Sequence, residues 1–155
     1  MNDNINISYI DGFRLHRALT SGIYNVISRQ DYLNKINVFP VPDSDTGTNM
    51  AFTLNAVLNG TSSNVCSSIS KMLYTIADSA LDGARGNSGA ILAQFFQGMS
   101  DGCKNSTKMT PKEFSEAIKL GSEYARDALG EPREGTILTI LTDFSNHLIN
   151  EIENG

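Results

Sequence analysis

The chain has 155 residues, 40% of them hydrophobic and 19% charged, and a formal net charge of −5. That length fits one domain that buries roughly 70% of its unfolded surface and needs no covalent staples. An acidic chain without a Lys/Arg cluster is a poor nucleic-acid binder. The two cysteines, Cys66 and Cys103, form no CxxC and have no paired His, so neither a zinc site nor a disulfide framework is expected. Both are read as core thiols. The N-terminus has no apolar signal-peptide core, and no apolar run approaches the ~18–20 residues of a membrane span. The cytoplasm is therefore the default compartment.

Residues from about Tyr9 to Gln30 carry a helical pattern, with Ile10, Phe13, Leu19, Ile23, Val26 and Ile27 inward and Arg17 lying along its stem. His16 lies within it and is given no role. Asp31 to Ile36 reads as a short helical turn.

The densest chemistry follows, from Asn37 to Met50. Phe39-Pro40-Val41-Pro42 predicts a stiff, extended lead-in, because proline fixes φ and removes a donor. It delivers Asp43 and Asp45 to one place. Paired carboxylates on a rigid loop suit a hard cation such as Mg²⁺, which takes oxygen ligands and shares its shell with water and phosphate. Thr46 to Asn49 then open a helix, and exposed N–H groups at a helix start attract anions. The plainer reading also fits: Asp-Ser-Asp-Thr-Gly is good turn and cap chemistry by itself.

That helix is expected over Gly47 to Leu58, stopping at Asn59-Gly60. The next carries Val65, Ile69, Met72, Leu73, Ile76, Ala77 and Ala80 as its inward stripe and ends at Gly83. The segment from Gly83 to Ala90 has three glycines within seven residues, a backbone that turns sharply or lets something approach closely. Asn87-Ser88-Gly89 sits where helix N–H groups point outward. A tight helix corner and a phosphate-binding loop are both compatible with it. A helix restarts through Ile91, Leu92, Phe95, Phe96 and Met99.

Asp101 to Lys108 reads as polar loop. Thr110-Pro111-Lys112-Glu113 is a complete helix start, with Thr at N-cap, Pro at N1 and Glu at N3 closing a capping box. That helix carries Phe114, Ala117, Ile118, Gly121, Tyr124, Ala125 and Ala128, and stops at Leu129-Gly130-Glu131-Pro132. Arg133-Glu134-Gly135-Thr136 opens a last helix with Ile137, Leu138, Ile140, Leu141, Phe144, Leu148 and Ile149 inside. His147 has no assigned partner. Helical periodicity still runs at the end of the chain, and a truncated domain is expected.

The fold class is therefore all-α, with about six long helices joined by three glycine- or proline-rich loops and no useful period-2 segment. If the helices after those loops start at one end of a bundle, the loops meet there. Familiar motifs fail. There is no Gly-Lys-[Ser/Thr] for a P-loop and no βαβ context for a dinucleotide fingerprint. Leu54 stands where an EF-hand needs its last Glu. Ser88 lacks the strand and final glycine of a nucleophile elbow. A phosphatase using Asp43 as nucleophile needs a preceding strand that two prolines disfavour.

The three loops together, Asn37-Val38-Phe39-Pro40-Val41-Pro42-Asp43-x-Asp45-Thr46-Gly47-Thr48-Asn49-Met50, Gly83-Ala84-Arg85-Gly86-Asn87-Ser88-Gly89 and Glu134-Gly135-Thr136-Ile137-Leu138-Thr139, resemble the nucleotide-binding domain of the dihydroxyacetone kinase L-subunit family. The closest branch is the N-terminal domain of the bacterial fatty acid kinase A subunit. The resemblance covers nearly the whole chain and implies an antiparallel helical barrel that binds ATP or ADP with two Mg²⁺ at one end. It implies phosphoryl transfer to a substrate held by a partner protein or domain: a fatty acid giving an acyl phosphate, or a triose in the glycerone kinase branch. Homodimer formation is left open.

Carried over by position, Asp43 and Asp45 match the metal-binding catalytic carboxylates, with Asn37 a third candidate ligand. Thr46, Gly47, Thr48 and Asn49 match positions around the phosphates, as do Gly86, Asn87, Ser88 and Gly89. Thr136 and Ile137 match the segment flanking base and ribose. The loops hold no lysine, so metals are expected to supply the positive charge, helped by Arg85 or Arg133. The sequence departs from the pattern twice. Ser44 stands where the family has glycine, and the chain stops before the C-terminal helices whose Asp-x-Gly segment closes over the nucleotide. A non-catalytic scaffolding module that keeps the fold is the alternative reading.

Overall fold

The computed structural model describes residues 7–38 and 42–154. Of the expected stiff lead-in, only Pro42 falls among them.

Among the described residues the chain forms seven helices and one two-residue strand pair. Strand β1 (Ile10–Asp11) pairs antiparallel with β2 (Lys108–Met109), Ile10 opposite Met109. Helix α1 (Gly12–Ile27) starts later than the pattern predicted, because Ile10 and Asp11 belong to that pair and Asp11 accepts a hydrogen bond from the Arg14 N–H as N-cap. The later start shifts the buried face to Leu15 and Ile23 and leaves Phe13 44% exposed. Helix α2 (Gln30–Lys35) is the expected short turn.

Helix α3 (Thr46–Ser62) runs through the predicted stop at Asn59-Gly60. A Cβ at Gly60 would lie 1.9 Å from the Ser79 hydroxyl, so this glycine serves a close approach and not a terminus. Ser79 belongs to α4 (Ile69–Asp82), which is capped by Ser68. Ile69, Met72, Leu73, Ile76 and Ala80 are all 0% exposed, so α4 is the spine of the core. Val65, expected inward, lies before the cap and is exposed. Helix α5 (Gly86–Gly102) begins on the glycine loop. Helix α6 (Pro111–Asp127) carries the complete capping box, with both reciprocal bonds between Thr110 and Glu113 formed. Helix α7 (Ile137–Asn154) closes the described chain.

Helices α3 to α7 pack as successive neighbours, the α5–α6 contact being the most extensive, while α1 and α2 lean on α3. The result is the expected all-α bundle. Buried apolar side chains from every helix except α2 form one continuous core. Cys103 is buried within it, whereas Cys66 is only half-buried, and both thiols are free. Two residues expected inside α7, Ile140 and Phe144, are 69% and 48% exposed. The main packing partner of α7 is α6, so one apolar face is covered and the other is open.

Candidate functional site

The starts of α3, α5 and α7 meet at one end of the bundle around a cavity of about 400 Å³. Thr46 and Met50 of α3, Asn87, Ser88 and Ile91 of α5, and Thr136, Ile137 and Thr139 of the third loop and α7 face it. Leu33, Ile36, Asn37 and Val38 complete the wall on the α2 side. Helices α4 and α6 therefore run back between the three, and the bundle alternates in direction.

Capping differs around the molecule. The starts of α1, α4 and α6 lie away from the cavity and each accepts an N–H into a side-chain oxygen, from Asp11, Ser68 and Thr110. At the cavity, α3 has Asp45 and α5 has Arg85 in the N-cap position, and neither side chain caps its helix. An N-cap Asp normally satisfies one of the orphan N–H donors. Asp45 instead keeps its carboxylate off its own helix, and the side-chain cap of α3 comes from α2, where the Asn34 oxygen accepts the Thr48 N–H.

The first loop is knotted around Asn37. Its side-chain N–H donates to Asp43 at 2.6 Å, and its side-chain oxygen accepts from the Thr46 hydroxyl at 2.7 Å. Ser44, between the two aspartates, has φ +58°, the left-handed region that glycine occupies without strain. Thr48 turns toward α2. Its hydroxyl accepts from Asn34 at 2.9 Å and Gln30 at 3.2 Å, and its N–H donates to the Asn34 oxygen.

The second loop is pressed against the first. Gly86 has φ +60°, and a Cβ there would lie 2.4 Å from the side-chain nitrogen of Asn49. A Cβ on Gly89 would lie 2.5 Å from the Thr53 hydroxyl oxygen, which accepts the Arg85 N–H at 3.3 Å. Gly47 stands equally close to the Gln30 carbonyl, at 2.2 Å for an added Cβ. Asn49, Gly47 and Gly89 are buried. Of the residues singled out in these two loops, the structure brings Asn37, Thr46, Asn87 and Ser88 to the cavity, while Gly47, Asn49 and Gly89 join the loops beneath it.

The third loop is fixed by Glu134. One carboxylate oxygen accepts from the guanidinium of Arg126, and the other accepts the Thr139 hydroxyl at 2.6 Å. The Thr139 bond and then the Arg126 bond and charge hold this carboxyl below the ordinary carboxylate range. Thr136 acts as a local cap, its hydroxyl accepting the Leu138 N–H at 3.3 Å. Of the two arginines expected near the phosphates, Arg85 lies over the Phe52 ring at 5.3 Å, and Arg133 lines the cavity with its guanidinium 3.8 Å from Glu131.

Sequence reasoning missed Gln30, Asn34 and Arg126, the side chains that hold the loops from outside. Amides on a short polar helix and one arginine on an exposed face carry no pattern of their own. Leu33 and Ile36 of the α2 wall were missed for the same reason.

An all-helical bundle with a loop-built pocket at the shared starts of three helices is the class that fold and site define. A family model described as the DAK2 domain matches residues 40–155, and the chain belongs to that family, a kinase-associated nucleotide-binding family. A protein of Staphylococcus saprophyticus is 37% identical over 147 residues, covering 95% of this chain and 27% of the relative. A protein of Staphylococcus aureus strain USA300 is 35% identical over 148 residues, covering 96% of this chain and 27% of its own length. Both are described as uncharacterized proteins. The chain thus spans about 27% of the length of the curated relatives it matches.

Proposed function

We propose that this chain is the nucleotide- and Mg²⁺-binding domain of a phosphotransferase whose phosphoryl acceptor is held by a separate protein or domain. The observation that carries the reading is the meeting of the α3, α5 and α7 starts with an apolar wall at one cavity, where Asn37 of that wall holds Asp43 by hydrogen bond. The α3 and α5 starts suit phosphate oxygens, through N–H groups and helix dipoles. The apolar side, with Leu33, Ile36, Leu129 and Ile137, suits a base.

The donor set fits magnesium. Asp43, Asp45 and Asn37 offer only oxygen donors from their acids and amide, too few for an all-protein cage. Among the described residues no three His, Cys, Asp or Glu side chains gather to form one. Mg²⁺ ordinarily takes one or two carboxylates and fills its octahedron with phosphate and water. We assign Asp43 and Asp45 as ligands for one or two such ions, with Asn37 orienting Asp43. When bound, the cation neutralises phosphate charge and polarises the transferred phosphoryl group.

The residues of the chain then do what phosphoryl transfer asks of a protein, which is to position and to neutralise. Thr46, Asn87 and Ser88 orient phosphate oxygens at the mouth. Asn37 keeps the Asp43 carboxylate aimed by hydrogen bond. Thr136 and Ile137 hold the nucleoside against the α7 wall. No side chain is asked to form a covalent intermediate. The acceptor is a fatty acid or a small hydroxylated compound such as a triose.

Isothermal titration with Mg·ADP tests the reading, on this chain and on one extended to the length of the relatives. Binding that disappears in the Asp43→Asn, Asp45→Asn double variant supports it. Unchanged binding in that variant, or no binding to either unaltered protein, overturns it.

A further inference from the structure

We propose that Glu134, braced by Arg126, is the positioning residue for the third wall of the cavity and sets the fit of the nucleoside half of the ligand. The inference rests on the nucleotide reading above and adds a residue that acts without lining the site.

The connection from α6 to α7 is poorly held by packing. It contains Gly130 and Gly135, and a Cβ on either would meet nothing within 4 Å. Its fixed point is one carboxylate that uses both oxygens on different elements. Arg126 of α6 donates to one oxygen and Thr139 of α7 to the other. The Thr139 hydroxyl in turn accepts the Gly135 N–H at 2.9 Å. Arg126 also reaches α7 directly, at the Thr142 hydroxyl, 3.4 Å away. An exposed ion pair by itself adds little stability. This one closes a ring through α6, the loop and α7, so its effect is on geometry.

Glu134 does not face the cavity, but Gly135, Thr136, Ile137 and Thr139 do. Thr139 is bonded to Glu134, and Gly135, Thr136 and Ile137 are the three residues that follow it. Loss of the carboxylate frees Gly135, whose φ is +78°, and lets Thr136 and Ile137 move relative to α3 and α5. Those two helix starts have their own joints at Asn49, Thr53 and Asn34 and are untouched. The defect therefore falls on the base and ribose side and spares the phosphate side.

Titrations of Glu134→Ala, Glu134→Gln and the unaltered chain with Mg·ADP and with Mg·pyrophosphate read this split. Glu134→Ala is expected to weaken Mg·ADP about tenfold, the scale of a sub-ångström misplacement, while Mg·pyrophosphate binds unchanged. Glu134→Gln, which keeps length and one acceptor, recovers part of the loss. Equal losses for both ligands, or no loss of ADP, overturn the inference. Amide hydrogen exchange of the free protein gives an independent arm: Gly135 and Leu138 should exchange faster in Glu134→Ala, with Thr48 and Gly89 unchanged. Unchanged exchange at Gly135 and Leu138 overturns the inference even if ADP binds. If neither the unaltered chain nor the one extended to the length of the relatives binds either ligand, the proposed function fails while the exchange arm still judges the brace.

Discussion

A Cβ placed on Gly98 would lie 2.7 Å from the Cα of Gly121, so α5 and α6 touch backbone to backbone. The reverse holds: a Cβ on Gly121 would lie 2.6 Å from the Phe95 carbonyl oxygen. Backbone atoms cannot swing aside, so Gly98→Ala and Gly121→Ala must push the two helices apart. Each substitution should cost about 1–3 kcal/mol by overpacking, more than the ~1 kcal/mol that alanine gains over glycine in a helix. Gly22 is the control, since a Cβ there meets nothing within 4 Å. Gly22→Ala should stabilise by about 0.5–1 kcal/mol. Urea midpoints of the three variants check the contrast, and a stabilised Gly121→Ala would refute the close contact.

Ser44 occupies positive φ between the two aspartates of the first loop. Valine is the harshest residue to place there, because its branched Cβ crowds the following carbonyl. Ser44→Val should lower stability by about 1–2 kcal/mol, whereas Ser44→Gly should hold or raise it by up to ~1 kcal/mol. Thermal unfolding of both variants decides, and an equal Tm for the two would show that the loop has no left-handed residue.

Two buried hydroxyls should respond oppositely to removal. Ser145 is 2% exposed and its hydroxyl has no hydrogen-bond partner among the described residues. Ser145→Ala should raise stability by about 1 kcal/mol, since a buried polar group without a partner is a cost. Thr53 is 0% exposed, donates to the Asn49 carbonyl at 3.0 Å and accepts from the Arg85 N–H. Thr53→Val should cost about 1–3 kcal/mol, because it leaves that N–H unpaired. Denaturant titrations read both signs.

Acid should loosen the start of α6. The Thr110 N–H, and then its hydroxyl, hold the Glu113 carboxyl below its ordinary value of 4.5. A carboxyl with a depressed folded pKa adds stability that is fully present above the unfolded value and is lost as pH falls through the folded one. The Tm difference between the unaltered chain and Glu113→Gln should therefore be constant near neutrality and close below pH 4.5. A difference that persists in strong acid would contradict the capping box.

Local signals found most of the framework. The stripe from Ile69 to Ala80 has one apolar face and no competitor, so period alone fixed the buried side of α4. The Thr110 to Glu113 capping box is a complete local interaction, and it was legible for that reason. Gly60 misled because Asn-Gly ordinarily ends a helix, whereas here a contact with Ser79, far along the chain, decides the matter. Ile140 and Phe144 misled differently: α7 is apolar on two faces, and periodicity does not say which face the chain itself covers. At the cavity, Ser88 and Thr136 stood out by residue type. The supporting contacts of Asn34 and Arg126 did not, because a single polar side chain on a helix reads the same whether it faces water or a loop.

The start of α5, with Arg85 in the N-cap position and no side-chain cap bond, presents the positive end of a helix dipole at one spot. The chain is acidic, with a formal net charge of −5, and at a distance it repels an approaching polyanion. Close in, the dipole end of α5 offers the opposite potential over a few ångströms. Salt screens the distant repulsion more than the short-range attraction. Capture of a metal-free polyphosphate should therefore accelerate at moderate ionic strength, opposite to the behaviour of a basic groove.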